Sequence, residues 1–170
     1  QLDAVLADVE RAGATVSGAK CHWGKDRLVV VGYEVSPEGR YPNQKKVEKI
    51  VDWPECRNVT EVRMFLGIVV YYRIWVMCFT FIAKPLFMLL KKDQEWVWED
   101  SHRMAMKTLK EKITQAPALM SPNYETGGML YMAVDASMEG AGAVLEQDDK
   151  DGRRHPCRFE STLWSKSESR

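Results

Sequence analysis

The chain has 170 residues, 45% hydrophobic and 28% charged, which is the composition of an ordinary globular protein of one domain or two small ones. Its 24 basic and 24 acidic residues leave a formal net charge of zero, which argues against a dedicated nucleic-acid binder but leaves room for a local basic stripe. The four cysteines, Cys21, Cys56, Cys78 and Cys157, are scattered without a CxxC pair, so reduced thiols are expected rather than a disulfide framework.

Leu2, Val5, Leu6 and Val9 recur at helical spacing and Gly13 is a stop signal, so QLDAVLADVERAG predicts an amphipathic helix, here expected to be the tail of a longer one. The segment is charged and unlike a signal peptide, so the chain is expected to be intracellular, in cytoplasm or nucleus, and not secreted. RLVVVGYEVS is β-branched and closed by Pro37-Glu38-Gly39, which predicts a hairpin. NQKKVEKIVDWP predicts a short helix with Val47 and either Ile50 or Val51 inward, ended by Pro54.

NVTEVRMFLGIVVYYRIWV predicts a further helix. Asn58 with Glu61 fits a capping box, and Val62, Phe65, Leu66, Val69 and either Tyr72 or Arg73 trace one face. The sequon at Asn58 is read as part of that cap. From Met64 to Ile82 the only charge is Arg73. An arginine at the centre of a span costs roughly 2.5–3.5 kcal/mol on insertion scales, so buried helices are expected here and no membrane span. FIAKPLFMLLKK and EWVWEDSHRMAMKTLKEKITQAP predict two more helices, the second with Ala105 or Met106, Leu109 and Ile113 inward.

Strand patterns return in MLYMAVDAS, GAGAVLEQ and PCRFES, separated by turns, which predicts an antiparallel meander. The fold class is therefore α+β: a hairpin and helices, then a three-stranded antiparallel sheet with an open edge. The composition shift near residue 94 divides residues 1–94 from 95–170. One acid, Asp135, sits on the first strand of the meander, with small residues after it. A single carboxylate neither holds a metal pair nor runs acid–base chemistry.

VVVGYEVSPEGRYPNQKKVEKIVDWPECRNVTEVRMFLGIVVYYR, IAKPLFMLLKKDQEWVWED and VDASMEGAGAVLEQ, in that order and spacing, resemble the polyproteins of gypsy-type LTR retrotransposons. The resemblance runs from the end of the reverse transcriptase palm through the thumb into the start of the RNase H domain. It implies that Gly32 and Tyr33 are similar to the primer grip, which holds the primer end. It implies that Arg63, Gly67 and Tyr71, which lie four apart and share one helical face, track the minor groove of a template–primer duplex. Asp135 resembles the first catalytic carboxylate of RNase H, and Gly140 and Gly142 fit the second strand. From the residues alone, the hairpin could equally be plain core, and Gly67 could equally let two helices pack closely.

The departures from the family are as informative. Its Tyr-x-Asp-Asp turn and its other RNase H carboxylates do not occur in these 170 residues, so Asp135 is an orphan carboxylate and a weak, incomplete metal site. No cofactor is firmly implied, and magnesium is implied only if the missing carboxylates come from elsewhere. The family usually reads Asn-Tyr-Tyr-Arg-Arg and then a proline, where this chain has Val70-Tyr71-Tyr72-Arg73-Ile74 and Met77. Apolar surface of that kind more often contacts protein than nucleic acid. Two functions are therefore expected to compete. One is a catalytically incomplete reverse transcriptase/RNase H fragment that binds an RNA–DNA or DNA duplex weakly. The other is a domesticated module binding a protein partner, or itself, through apolar thumb helices or the open sheet edge.

Overall fold

The computed structural model describes residues 2–125 and 128–165. The first helix, α1 (Leu2–Arg11), keeps the predicted period, but none of its residues is buried. The predicted hairpin is a three-stranded meander, β1 (Leu28–Val30), β2 (Tyr33–Ser36) and β3 (Gly39–Pro42). The register Ser36↔Gly39 turns the chain at Pro37-Glu38, so GRYP adds the strand that its proline and glycine concealed. The β1–β2 turn is Val31-Gly32, with φ of 49° and 84°. Two positive φ values make a type I′ turn, whose twist suits a hairpin. Glycine takes that conformation freely, whereas β-branched Val31 is held there at a strain cost.

Helix α2 (Gln44–Val51) starts at Asn43, whose side chain accepts from the Lys46 N–H. Val47 and Ile50 face inward and Val51 is exposed, which settles the alternative at that face. The end of α2 is held by Lys110, whose ammonium donates to the carbonyls of Val51 (2.9 Å) and Trp53.

Helix α3 (Val59–Val69) buries Val62, Phe65, Leu66 and Val69, the predicted face. Its cap differs in one bond from the predicted box. Asn58 Oδ1 accepts from the Glu61 N–H at 2.9 Å, but the Glu61 carboxylate reaches back to the N–H of Arg57, at 2.7 Å. The helix stops at Val69 and tightens into a 3-10 segment, Val70–Trp75, that buries Tyr72 and Trp75 and leaves Arg73 outside. Cys78, at φ 59°, breaks the chain before α4 (Phe79–Met88). Helix α5 (Asp100–Thr114) begins later than its sequence pattern suggests. Trp96 and Trp98 lie outside it, stacked on each other at 5.6 Å, with Trp98 stacked on His102.

Strands β4 (Leu130–Ala136), β5 (Gly140–Asp148) and β6 (Arg154–Leu163) form the second antiparallel sheet, in that order. One core joins α2, α3, α4, α5 and Leu119, with Phe159 of β6 packed against it. Thr80 of α4 fastens the sheet to the helices. Its N–H donates to Ser161 Oγ at 3.0 Å, and its hydroxyl donates to the Ser161 carbonyl at 2.8 Å. No described helix is long and apolar enough to cross a membrane.

Candidate nucleic-acid interface

The β1–β2 turn and the end of α3 meet through aromatic rings. Tyr71, just past α3, stacks on Tyr33 with ring centroids 4.7 Å apart and donates its hydroxyl to the Val31 carbonyl. Tyr33 also packs edge-on against Trp75 at 4.9 Å. Burial, then the Tyr33 hydroxyl, push the Tyr71 phenol above its ordinary value, so it remains a donor at neutral pH. The Lys46 ammonium lies 5.4 Å from the Tyr71 ring centre, in cation–π range. A Cβ at Gly32 would come within 2.9 Å of both Lys46 Nζ and Tyr71 Oη. The turn therefore needs glycine for its conformation and for this close approach.

Beyond Tyr71 a groove of about 420 Å³ opens between α2 and α3, lined by Lys46, Lys49, Trp53, Gly67, Ile68 and Tyr71, among others. A Cβ at Gly67 would meet nothing within 4 Å. Close helix packing therefore does not explain this glycine, which faces open space. Arg63, one turn earlier on α3, is exposed and has no carboxylate partner among the described residues. The structure thus brings Gly32, Tyr33, Gly67 and Tyr71 together around one edge of the fold, with Arg63 beside them. Lys46 and Lys49 were missed from the sequence. Once Val47 and Ile50 are inward, the helical period places both lysines outward.

Asp135 is elsewhere, on β4 opposite Gly142 of β5. It is exposed and makes no hydrogen bond or ion pair with a described residue. It borders a concavity of about 470 Å³ whose other walls include Met77, Cys78, Phe81, Val134 and Val144. The nearby acids are engaged or lie further along the sheet. Glu139 pairs with Lys84 at 3.0 Å, Glu160 with Arg158 at 2.7 Å and Arg73 at 3.7 Å, and Glu146 stands opposite Tyr131. Among the described residues no group of three or more His, Cys, Asp or Glu side chains is placed to hold a metal. One carboxylate against apolar walls does not fit a divalent-metal pair.

Of the apolar substitutions near Tyr71, Val70 and Ile74 are half-buried against the core, and only Met77 is exposed. Apolar surface is more evident on β4, an edge strand among the described residues. There Met132 is 71% and Val134 58% exposed, on one face with Leu130.

Residues 98–170 match the RNase H-like domain found in reverse transcriptase. The Transposon Tf2-3 polyprotein of Schizosaccharomyces pombe (strain 972) is 30% identical over 164 residues, covering 96% of this chain and 12% of the polyprotein. The Transposon Tf2-4 polyprotein of the same organism matches with the same figures. The chain is thus similar to retrotransposon polyproteins over nearly its whole length, and to the RNase H-like domain of reverse transcriptase over residues 98–170. It spans about 12% of the length of the polyproteins it matches. In fold, the chain is similar to the foamy viral protease-reverse transcriptase in complex with RNA/DNA hybrid. The TM-score is 0.79 at 22% identity, over 99% of this chain and 22% of that one. The foamy viral protease-reverse transcriptase dRH in complex with ds DNA gives a TM-score of 0.78, also at 22% identity, over 99% of this chain and 29% of that one. The mixed helices and two antiparallel sheets are thus a reverse-transcriptase arrangement.

Proposed function

We propose that this chain is a duplex-gripping segment of a retrotransposon reverse transcriptase that carries no complete catalytic centre of its own. Residues 1–94 would seat the template–primer duplex, and residues 95–170 would form the N-terminal part of the RNase H-like domain. The observation that carries the reading is the open space over Gly67, on a helical face shared with Arg63 and adjoining the Gly32 turn. A glycine inside a helix costs ~1 kcal/mol against alanine, and close approach of a nucleic-acid backbone offsets that cost where no protein packing does. Arg63 supplies a charge-assisted contact to phosphate, and the Gly32 turn presents bare backbone to a sugar-phosphate chain. Support for duplex as the ligand also comes from the fold relatives described in complex with RNA/DNA hybrid and with ds DNA.

A second reading, a domesticated protein-interaction module, draws its support from β4 rather than from the thumb-like helices. Val70 and Ile74 are largely taken up by the core, whereas Met132 and Val134 lie open on an edge strand.

A fluorescence-anisotropy titration with a labelled RNA/DNA hybrid at low salt separates the two. The duplex reading expects binding that weakens steeply with salt, and loss of binding in Gly67→Leu with the fold retained. No binding by the wild-type chain at low salt, with self-association blocked by Val134→Lys, would establish the second reading instead.

A further inference from the structure

We propose that Lys46 and Lys49 of α2 form a phosphate-binding pair that holds the backbone of one strand of a duplex seated over Gly67. The inference rests on the duplex-gripping reading and names residues that neither the sequence resemblance nor the relatives assign. Exposed lysines on a helix are ordinarily a solvated face, and three observations set this pair apart. The Lys46 ammonium is drawn in to the Tyr71 ring and the Gly32 turn, 5.4 Å from the ring centre, which places it at the junction of the two duplex-facing features. Neither lysine forms an ion pair with a described carboxylate, although many cations here do, among them Arg73, Lys84, Arg103 and Arg154. Among the described residues the groove they line has no carboxylate in its wall, whereas the concavities at Glu55, Glu99, Glu139 and Asp135 each have at least one.

The spacing suits a nucleic-acid strand. Three residues apart, Lys46 and Lys49 share one helical face, and their flexible stems let the two ammonium groups adjust to successive phosphates of one strand. Arg63 on α3, one turn before Gly67, adds a third cation near the open face that the lysines of α2 border. Helix α2 is stiff enough to hold the pair, since Asn43 caps its start and Lys110 ties its end.

The test is the salt dependence of hybrid binding by the full chain, compared among wild type, Lys46→Gln/Lys49→Gln, Lys49→Gln alone, Arg63→Ala and Lys91→Gln/Lys92→Gln. The double variant on α2 should flatten the log-affinity against log-salt slope by about two ions' worth, and Lys49→Gln by about one. Among the described residues it is Lys46, not Lys49, that reaches the Tyr71 ring and the Gly32 turn, so the Lys49 variant leaves that contact in place. The Lys91/Lys92 control should leave the slope unchanged. A slope unchanged in the α2 variants but flattened in Arg63→Ala would overturn the lysine pair and leave the duplex reading standing. Equal flattening in the control would show mere net charge and also overturn the pair. No hybrid binding by wild type would overturn both.

Discussion

Tyr71 donates its hydroxyl to the carbonyl of Val31, so a residue just past α3 holds the tip of the β1–β2 turn in its strained conformation. The neighbouring Tyr72 is the opposite case: it is buried and its hydroxyl has no hydrogen-bond partner among the described residues. The same Tyr→Phe change should therefore act with opposite sign at adjacent positions. Tyr71→Phe loses a hydrogen bond worth about 0.5–1.5 kcal/mol net, near the low end because water can reach Val31. Tyr72→Phe removes an unsatisfied buried group and should stabilise by about 1 kcal/mol. Thermal melts of the two variants check the pair, and a fall in Tm for Tyr72→Phe would show that its hydroxyl is satisfied in solution.

Gly140 begins β5 where the sheet presses on α4. A Cβ there would run into the Thr162 carbonyl oxygen and lie 2.9 Å from the Phe81 ring. The first obstacle is backbone, so relief requires moving a strand. Gly140→Ala is expected to cost about 1–3 kcal/mol, the range for overpacking. Gly67→Ala, into open space inside α3, should gain up to ~1 kcal/mol from helix propensity. Urea denaturation of both variants measures the contrast, and equal effects would mean that one of the two environments is wrong.

The elements with strong periodicity are legible in the sequence. The buried face of α3, Leu109 and Ile113 of α5 and the three strands of the second sheet all follow from spacing, whereas α5 buries both Ala105 and Met106 rather than one of them, and His102 besides. The 3-10 segment after Val69 was not, because apolar residues continue without a glycine or proline, and packing of Tyr72 and Trp75 decides the break. Strand β3 was hidden because four residues with a glycine and a proline carry no period-2 signal. The family resemblance supplied Arg63, Gly67 and Tyr71 as a face. It could not show that Tyr71 is partly spent on the turn, or that Lys46 closes over it, since both depend on contacts between distant segments.

Asp135 is exposed and unpartnered among the described residues, so it contributes little to folding. Asp135→Asn should change stability by no more than about 0.5 kcal/mol. Incubation of the chain with an RNA/DNA hybrid in magnesium or manganese should leave the RNA strand intact, in wild type and variant alike, because one carboxylate holds no metal pair. Cleavage by wild type that vanishes in Asp135→Asn, followed on a denaturing gel, would refute catalytic incompleteness.

The β5–β6 turn should be acid-labile. Asp149 accepts from the N–H groups of Arg153 (2.8 Å) and Asp151 (2.9 Å) and lies 2.8 Å from His155 Nε2. The Arg153 amide first, and then His155, hold its carboxyl below the ordinary carboxylate range. A folded value below the unfolded one, about 3.9, means that its stabilising contribution is complete above that pH. It is lost as pH falls through the folded value. Protection of the Asp151 and Arg153 amides, followed by NMR hydrogen exchange, should therefore hold from neutral pH down to about 4 and fall below it. Asp149→Ala should show low protection throughout, with no acid step. Protection in wild type that persists well below the carboxylate range would mean that the turn is held by its backbone bonds alone, such as Asp149 N–H to the Arg153 carbonyl at 2.8 Å.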